Sequence, residues 1–499
     1  MQDLTQLVRG LVWALTVVLA VSALLLHARL MNNLDLDNGI IGDEGEMLYA
    51  LRAVRLGQPL YRDLSTEPHV LTPYMPLFYL VPGTVARWLG AGWVGTVMVG
   101  RGYVYVLWLG VAAVVCALVR QAGGTLAAGG LAALLWLAGS LTPEVANSFR
   151  PDSAVIFFSL AGVWLYRRAE RASQFACSSL LLAVAFLHKH SALCAALAIV
   201  TDALWQKRWR TALVVVGTWT VGVGIFIATA QTMTSGAFGM NVFGSLLGWT
   251  GLQHVGIILT LVVARGAAVF AGAGIAIGTR AVPRLLRAYF ILAIALAVAS
   301  SVKFGSGPHY YLEAYAVGCV LTGILISTWL AGATPHGAGL QITWLAVAVG
   351  ACLMALGPRL TSARELAGEI RNHRAIREQM TEEWERVLEH LRGIGQPQLI
   401  EDVYLAVRST TQPVLVNGSM FASMQRSGRF DDRPLLRQIE ERRFTVIVAS
   451  FALEEDKINR HFPEHWLTAM QARYALAETL VMDQPQRTFF IYRPRGDGA

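Results

Sequence analysis

The chain has 499 residues, 55% of them hydrophobic and 15% charged, with a mean hydropathy of +0.48. That balance excludes an ordinary soluble enzyme and indicates a polytopic membrane protein. The formal net charge is +8, but in a membrane protein basic residues serve as anchors on one face of the bilayer, so nucleic acid is not an expected partner.

A spanning helix needs about 20 apolar residues, and by that measure about eleven spans are expected. They fall near residues 8–30, 101–119, 125–141, 153–166, 173–188, 190–206, 211–230, 255–279, 286–302, 310–331 and 341–357. The first run is longer than a signal-peptide core and reads as an uncleaved span. The stretch PYMPLFYLVPGTVARWLG, Pro73 to Gly90, is not counted. Pro73, Pro76 and Pro82 interrupt it and Arg87 and Trp88 end it, as in an interfacial or re-entrant helix.

With that segment excluded the short loops alternate in charge. Arg9, Arg120, Arg167, Arg168, Arg171, Lys207, Arg208, Arg210, Arg280, Arg284 and Arg287 fall on one side, and only Arg150, Lys189 and Lys303 on the other. The positive-inside rule then places the N-terminus in the cytoplasm. The long first loop, residues 31–100, escapes that rule by its length. A transmembrane part, residues 1–357, is expected to precede an extracytoplasmic α/β domain, residues 358–499. That domain opens with the charged helical stretch ARELAGEIRNHRAIREQMTEEWERVLEHLRG. Strand-like runs PVLVNG, FTVIVAS and TFFIYRP follow, with RPLLRQIEERR as a helix between the first two.

The candidate chemistry gathers on the external side. The first loop contains GIIGDEGEMLYALRAVRLGQPLY, which puts Asp43, Glu44 and Glu46 beside the membrane surface. A carboxylate there, partly desolvated, can take a proton from an attacking hydroxyl, although a solvated acidic loop has the same composition. Asp152, in TPEVANSFRPDS, can supply a second acidic group or cap the following helix. Lysine is scarce, with four residues in the chain, yet Lys189 in LHKHS and Lys303 in SVKFGSGPHYYLEAY sit in short external loops. Their compact ammonium groups suit a lipid phosphate, or snorkel to headgroups. Arg265 lies about ten residues inside a span, where a charge is costly enough to imply a function. His69, His188, His190 and His309 share this side but match no strong metal template. The five cysteines, Cys116, Cys177, Cys194, Cys319 and Cys352, read as small core residues.

The order of these motifs resembles the GT-C glycosyltransferases, more narrowly the family 39 group of protein O-mannosyltransferases and lipid A aminoarabinose transferases. The resemblance rests on Asp43-Glu44 after the first span, on ALRAVRLGQPLYRDL and EPHVLTPYMPLFY, and on FRPDS, FLHKHSAL and KFGSGPHYYLE, and it covers residues 1–357. TPYMPLFY departs from the consecutive prolines of many relatives. The resemblance implies a GT-C-like α-helical membrane protein in a bacterial cytoplasmic membrane. It implies a polyprenyl-phosphate-linked sugar donor and a lipid, glycan or protein acceptor. It makes Asp43 the catalytic base with Glu44 beside it, Asp152 the second acidic residue, and Lys189 the holder of the carrier phosphate. Lys303 and Arg265 join Lys189 on electrostatic grounds. A single attack at the anomeric carbon predicts inversion. No nucleotide-sugar site is needed, no cofactor is certain from the sequence, and participation of a divalent cation stays open. The alternative reading is a lipid or glycolipid transporter or flippase, which also places charge near the membrane but tends to carry repeats and mid-membrane polar residues.

Overall fold

The computed structural model describes residues 2–38, 44–139, 141, 143–244, 252–303, 305–331, 337–410, 413–454 and 461–496. In chain order the helices are α1 (Gln2–Asn32), α2 (Glu44–Arg55), α3 (Pro76–Trp88), α4 (Trp93–Gln121), α5 (Leu126–Leu137), α6 (Asp152–Tyr166), α7 (Ala172–Phe186), α8 (Cys194–Trp205), α9 (Trp209–Met233), α10 (Ala237–Val242), α11 (Leu252–Ile277), α12 (Arg284–Ser300), α13 (Leu312–Leu330) and α14 (Gly337–Thr361). There follow α15 (Ala363–Arg371), α16 (His373–Ile394), α17 (Val403–Ser409), α18 (Gly418–Arg426), α19 (Arg433–Glu440) and α20 (Glu464–Arg473). The strands are β1 (His69–Val70), β2 (Gln398–Ile400), β3 (Leu415–Val416), β4 (Val446–Ala449), β5 (Tyr474–Met482) and β6 (Arg487–Pro494).

The chain divides into two compact units. The first comprises residues 1–34, 101–227 and 249–370, the second residues 35–100, 228–248 and 371–499. All eleven expected spans are helices: α1, α4 to α9 and α11 to α14. Six of them (α1, α4, α9, α11, α13 and α14) are long and apolar enough to cross a membrane. The apolar helices α5 to α8 have 12 to 15 residues, about 18–22 Å at 1.5 Å per residue and shorter than the hydrocarbon core. At one end α5 leads to α6, and α7 to α8, through connections that bury polar residues, among them Asn147, Ser148, Arg150, His188 and Lys189. The chain is a multi-pass membrane protein, and its outward-facing side chains agree: Trp13, Leu213 and Met354 are 70%, 72% and 75% exposed. Such surfaces are stable against lipid but not against water.

Within the first unit α13 is the central element, buried along nearly its whole length. It packs against α5, α11 and α12, while α1 pairs with α14, α6 with α7, and α8 with α12. Gly323 permits the α5 contact, because a Cβ there would lie 2.8 Å from the side chains of Ala132 and Val119.

The second unit joins the first loop to the C-terminal segment. β1 pairs in parallel with β3, His69 opposite Leu415 and Val70 opposite Val416. A separate four-stranded sheet runs in the order β2-β4-β6-β5, parallel between β2 and β4 and antiparallel elsewhere. Phe421, Phe444, Ile447, Trp466 and Tyr492 form part of its core. The Pro73–Gly90 segment, excluded as a span, forms α3 in this unit and packs on α2, with Trp88 81% exposed. The charged stretch after the last span is two helices, α15 and α16, separated at Asn372. β1, β2 and β5 have no counterpart among the strand-like runs read from the sequence.

Candidate active site

In the first unit, α5 is followed by a 3-10 turn over Pro143–Ala146 and then by Asn147 to Pro151, which delivers Asp152 as the first residue of α6. Pro151 occupies the cap position and no side-chain capping bond forms, so Asp152 does not cap its own helix. Its Oδ1 instead accepts a hydrogen bond from Lys189 Nζ at 2.8 Å, with both side chains 6% exposed. Lys189 stands in the turn between α7 and α8. Two short apolar helices that end at the same level therefore present their terminal charges to each other.

Two further groups complete this cluster. Arg150 Nε lies 3.6 Å from Asp152 Oδ2, and Arg150 Nη2 donates to His309 Nε2 at 3.1 Å. That bond requires the lone pair of a neutral imidazole nitrogen. His309 belongs to the 3-10 turn Pro308–Tyr311 that leads into α13. The next residue, Tyr310, places its ring 5.0 Å from Lys189 Nζ, a cation–π contact. Glu313, in the first turn of α13, accepts a hydrogen bond from Tyr289 at 2.7 Å. Lys303 is less enclosed; burial, and then the charge of Lys189, lower its pKa below the ordinary lysine value. Arg150, Lys189 and Lys303 together outnumber the carboxylates of Asp152 and Glu313. An excess of cations, half withdrawn from water, is suited to an anion.

His188 has a packing role. Its Nδ1 must donate to the Val184 carbonyl at 2.8 Å, so Nε2 accepts from the Tyr103 hydroxyl at 2.7 Å. Its ring stacks on Phe158. Arg265 belongs to α11. It donates weakly to the Leu141 carbonyl at 3.4 Å and lines a cavity of about 300 Å³ with Ser22, Gly139, Tyr315 and Cys352.

In the second unit the acidic motif initiates α2. Glu44 and Glu46 are its first-turn carboxylates, where the positive end of the helix dipole favours them, and both are buried. Glu46 accepts a hydrogen bond from Asn417 Nδ2 at 2.5 Å, which ties the motif to the start of α18. Between them Gly45 packs against α17, where a Cβ would come within 2.9 Å of Val403 Cγ1 and 3.0 Å of Tyr404 N. Asp43 lies outside the described residues.

The sequence reading thus finds Asp152, Lys189 and Lys303, which the fold brings together, but not Arg150, His309 or Glu46 as partners. The signal for Arg150 was its position two residues before Asp152, and for His309 its place in GPHYYLE after Lys303. Among the described residues, no group of three or more His, Cys, Asp or Glu side chains could hold a metal ion.

No family model matches the chain, and no curated protein does. Solved structures do. ArnT from Cupriavidus metallidurans, bound to undecaprenyl phosphate, superposes with a TM-score of 0.58 at 14% identity over 94% of this chain and 97% of its own. The oligosaccharyltransferase AglB from Archaeoglobus fulgidus, in complex with an inhibitory peptide and a dolichol-phosphate, gives 0.53 at 12% over 98% of this chain and 75% of its own. A complex of the Archaeoglobus fulgidus oligosaccharyltransferase with Zn and sulfate gives 0.52 at 13% over 96% and 73%. The chain shares the fold of these structures.

Proposed function

We propose that this chain, built on the GT-C fold, is an integral-membrane glycosyltransferase that moves a sugar from a polyprenyl-phosphate donor to an acceptor hydroxyl on the extracytoplasmic side. The observation that carries the reading is the buried Asp152–Lys189 pair flanked by Arg150, His309 and Lys303. The fold supports it, since structures of ArnT and AglB with that fold hold undecaprenyl phosphate and a dolichol-phosphate.

The chemistry follows from the donor. The acceptor oxygen attacks the anomeric carbon, the bond from that carbon to the phosphate oxygen breaks, and the phosphate leaves with the electron pair. The acceptor proton passes to a carboxylate, the role assigned to Asp43 with Glu44 beside it. Lys189 and Lys303 stabilise the charge that grows on the departing phosphate. Asp152 holds the Lys189 ammonium in place, a positioning role. Arg265, in its cavity, serves the same carrier anion. One displacement inverts the anomeric configuration. In this reading the N-terminus is cytoplasmic, the host membrane is a bacterial inner membrane, and residues 358–499 form an extracytoplasmic domain available to the acceptor.

The test is transfer by the purified full chain in proteoliposomes, given a radiolabelled polyprenyl-phosphate sugar and a mixed panel of lipid, glycan and peptide acceptors. Free polyprenyl phosphate should accumulate with acceptor present, and Asp43→Asn should abolish its release at unchanged folded yield. Full turnover by Asp43→Asn removes that carboxylate from the mechanism. Movement of labelled lipid between leaflets without bond cleavage replaces the transferase with a flippase. The same assay with and without a chelator decides whether a divalent cation takes part.

A further inference from the structure

A second polar cavity in the first unit lies at the end of α6 remote from Asp152. α6 has 15 residues, so its ends are separated by about 21 Å along the axis. Tyr166 and Arg167 line this cavity together with Asp202 and Gln206 from the end of α8, Arg208 before α9, and Arg284 at the start of α12, in a volume of about 360 Å³. Three guanidinium groups face one carboxylate. That carboxylate is already engaged: Gln206 Nε2 donates to Asp202 Oδ2 at 2.7 Å, and the Tyr166 hydroxyl donates to the same oxygen at 3.4 Å.

We infer that this cavity binds the phosphate of an anionic phospholipid headgroup. Three independent features converge on it. Arg167 Nη1 is buried and has no hydrogen-bond partner among the described residues, a donor that an entering phosphate oxygen would satisfy. Arg284 opens α12, so the amides of that first turn add the positive end of a helix dipole to the three side chains. The surroundings belong to the membrane interface. The Arg284 guanidinium lies 6.0 Å from the Trp205 ring, and Trp205 and Trp209 are 71% and 62% exposed, as aromatic residues at headgroup level are. Basic residues in this end's loops are expected from the positive-inside rule alone; a concave site with a buried unsatisfied donor is not. The site has no part in the proposed transfer, because Asp152 and Lys189 stand at the far end of α6.

Native mass spectrometry of the full chain in an uncharged detergent tests the inference, with phosphatidylglycerol, phosphatidylcholine and inorganic phosphate as probes. One phosphatidylglycerol should be retained in preference to phosphatidylcholine. Arg208→Gln and Arg284→Gln, both at exposed side chains, should each weaken its retention about tenfold, the worth of one charge-assisted hydrogen bond. Arg210→Gln, which removes a neighbouring arginine that does not line the cavity, should leave retention unchanged. Equal retention of the two lipids overturns the inference, as does an Arg210→Gln loss equal to the others, which would mean diffuse surface charge. Displacement of phosphatidylglycerol by inorganic phosphate overturns the headgroup assignment in favour of a free anion.

Discussion

Lys189 Nζ and Asp152 Oδ1 meet at 2.8 Å in a pocket that leaves each side chain 6% exposed. A pair so withdrawn from water gains little net stability from its own attraction, because desolvating both ions offsets most of it. Removing one partner, however, leaves the other as an uncompensated buried charge. The two halves of the pair therefore respond differently to single and to double substitution.

Lys189→Met should destabilise the protein by about 3–5 kcal/mol, since the hydrogen-bonded ammonium is lost and, among the described residues, the Arg150 guanidinium faces Asp152 at the longer range of 3.6 Å. Asp152→Asn combined with Lys189→Met should recover only part of that loss, because the buried Arg150 then loses the carboxylate 3.6 Å away, while release of polyprenyl phosphate stays abolished. Thermal unfolding in detergent and the transfer assay separate the two effects. If the double variant turned over normally, the pair would be a packing device and nothing more.

Lys303 gives the reaction a pH dependence with a defined sign. Burial first, and then Lys189, lower its pKa from the ordinary 10.5. The ammonium is complete below the folded-state pKa, so its contribution to holding a phosphate is present there and fades as pH rises through that value. Stability runs the opposite way. The unfolded chain binds this proton more tightly, so the charged form costs stability below the folded pKa, and that cost disappears as pH climbs toward 10.5. Lys303→Arg, whose charge persists, should move the loss of carrier binding to higher pH. A binding profile identical in wild type and Lys303→Arg would exclude this lysine from the phosphate site.

Gly45 stands between the two buried carboxylates of α2, and an added methyl would collide with Val403 and with the backbone of Tyr404. The backbone cannot yield as a flexible side chain would. Gly45→Ala should cost about 1–3 kcal/mol by overpacking and should shift the acidic turn from its position. Limited proteolysis within residues 39–61 is the readout, and a cleavage pattern like that of the wild type would refute it.

Asp37 links the first loop to the C-terminal segment of the second unit. Its carboxylate lies 2.6 Å from Arg408 Nη1, accepts from Trp93 Nε1 at 3.0 Å and accepts from the Tyr404 hydroxyl. Asp37→Ala leaves Arg408, among the described residues, with the Glu385 carboxylate 3.8 Å away and the face of the Trp384 ring at 4.8 Å. A loss of about 3–5 kcal/mol is expected, visible as faster protease release of fragments from residues 371–499. Asp37→Asn should lose less, because it keeps an acceptor for the indole.

The apolar runs located every expected span as a helix, and Pro73–Gly90, set apart by its prolines, forms the 13-residue α3 of the second unit. Lys189, Lys303 and Asp152 could be grouped from loop charge alone, because the alternation of loops assigns each to one face without any knowledge of packing. The same logic does not reach Arg265, which lies within α11 rather than in a loop and lines a cavity with Ser22 and Tyr315.

What hydropathy determines is local: which segments shun water, and in what order they cross. It is a sum over neighbours in sequence, so it fixed the helical membrane class and the one-sided charges. Partnership is non-local. Arg150 meets His309 across 159 positions, and β1 meets β3 across more than three hundred, through contacts that no window of sequence contains. The Asp152 reading was likewise open between a helix cap and a second acid. The fold brings the end of α7 against the start of α6, where the Asp152 carboxylate, removed from water, accepts from the Lys189 ammonium at 2.8 Å and makes no capping bond, a partnership that lies outside any local window of sequence.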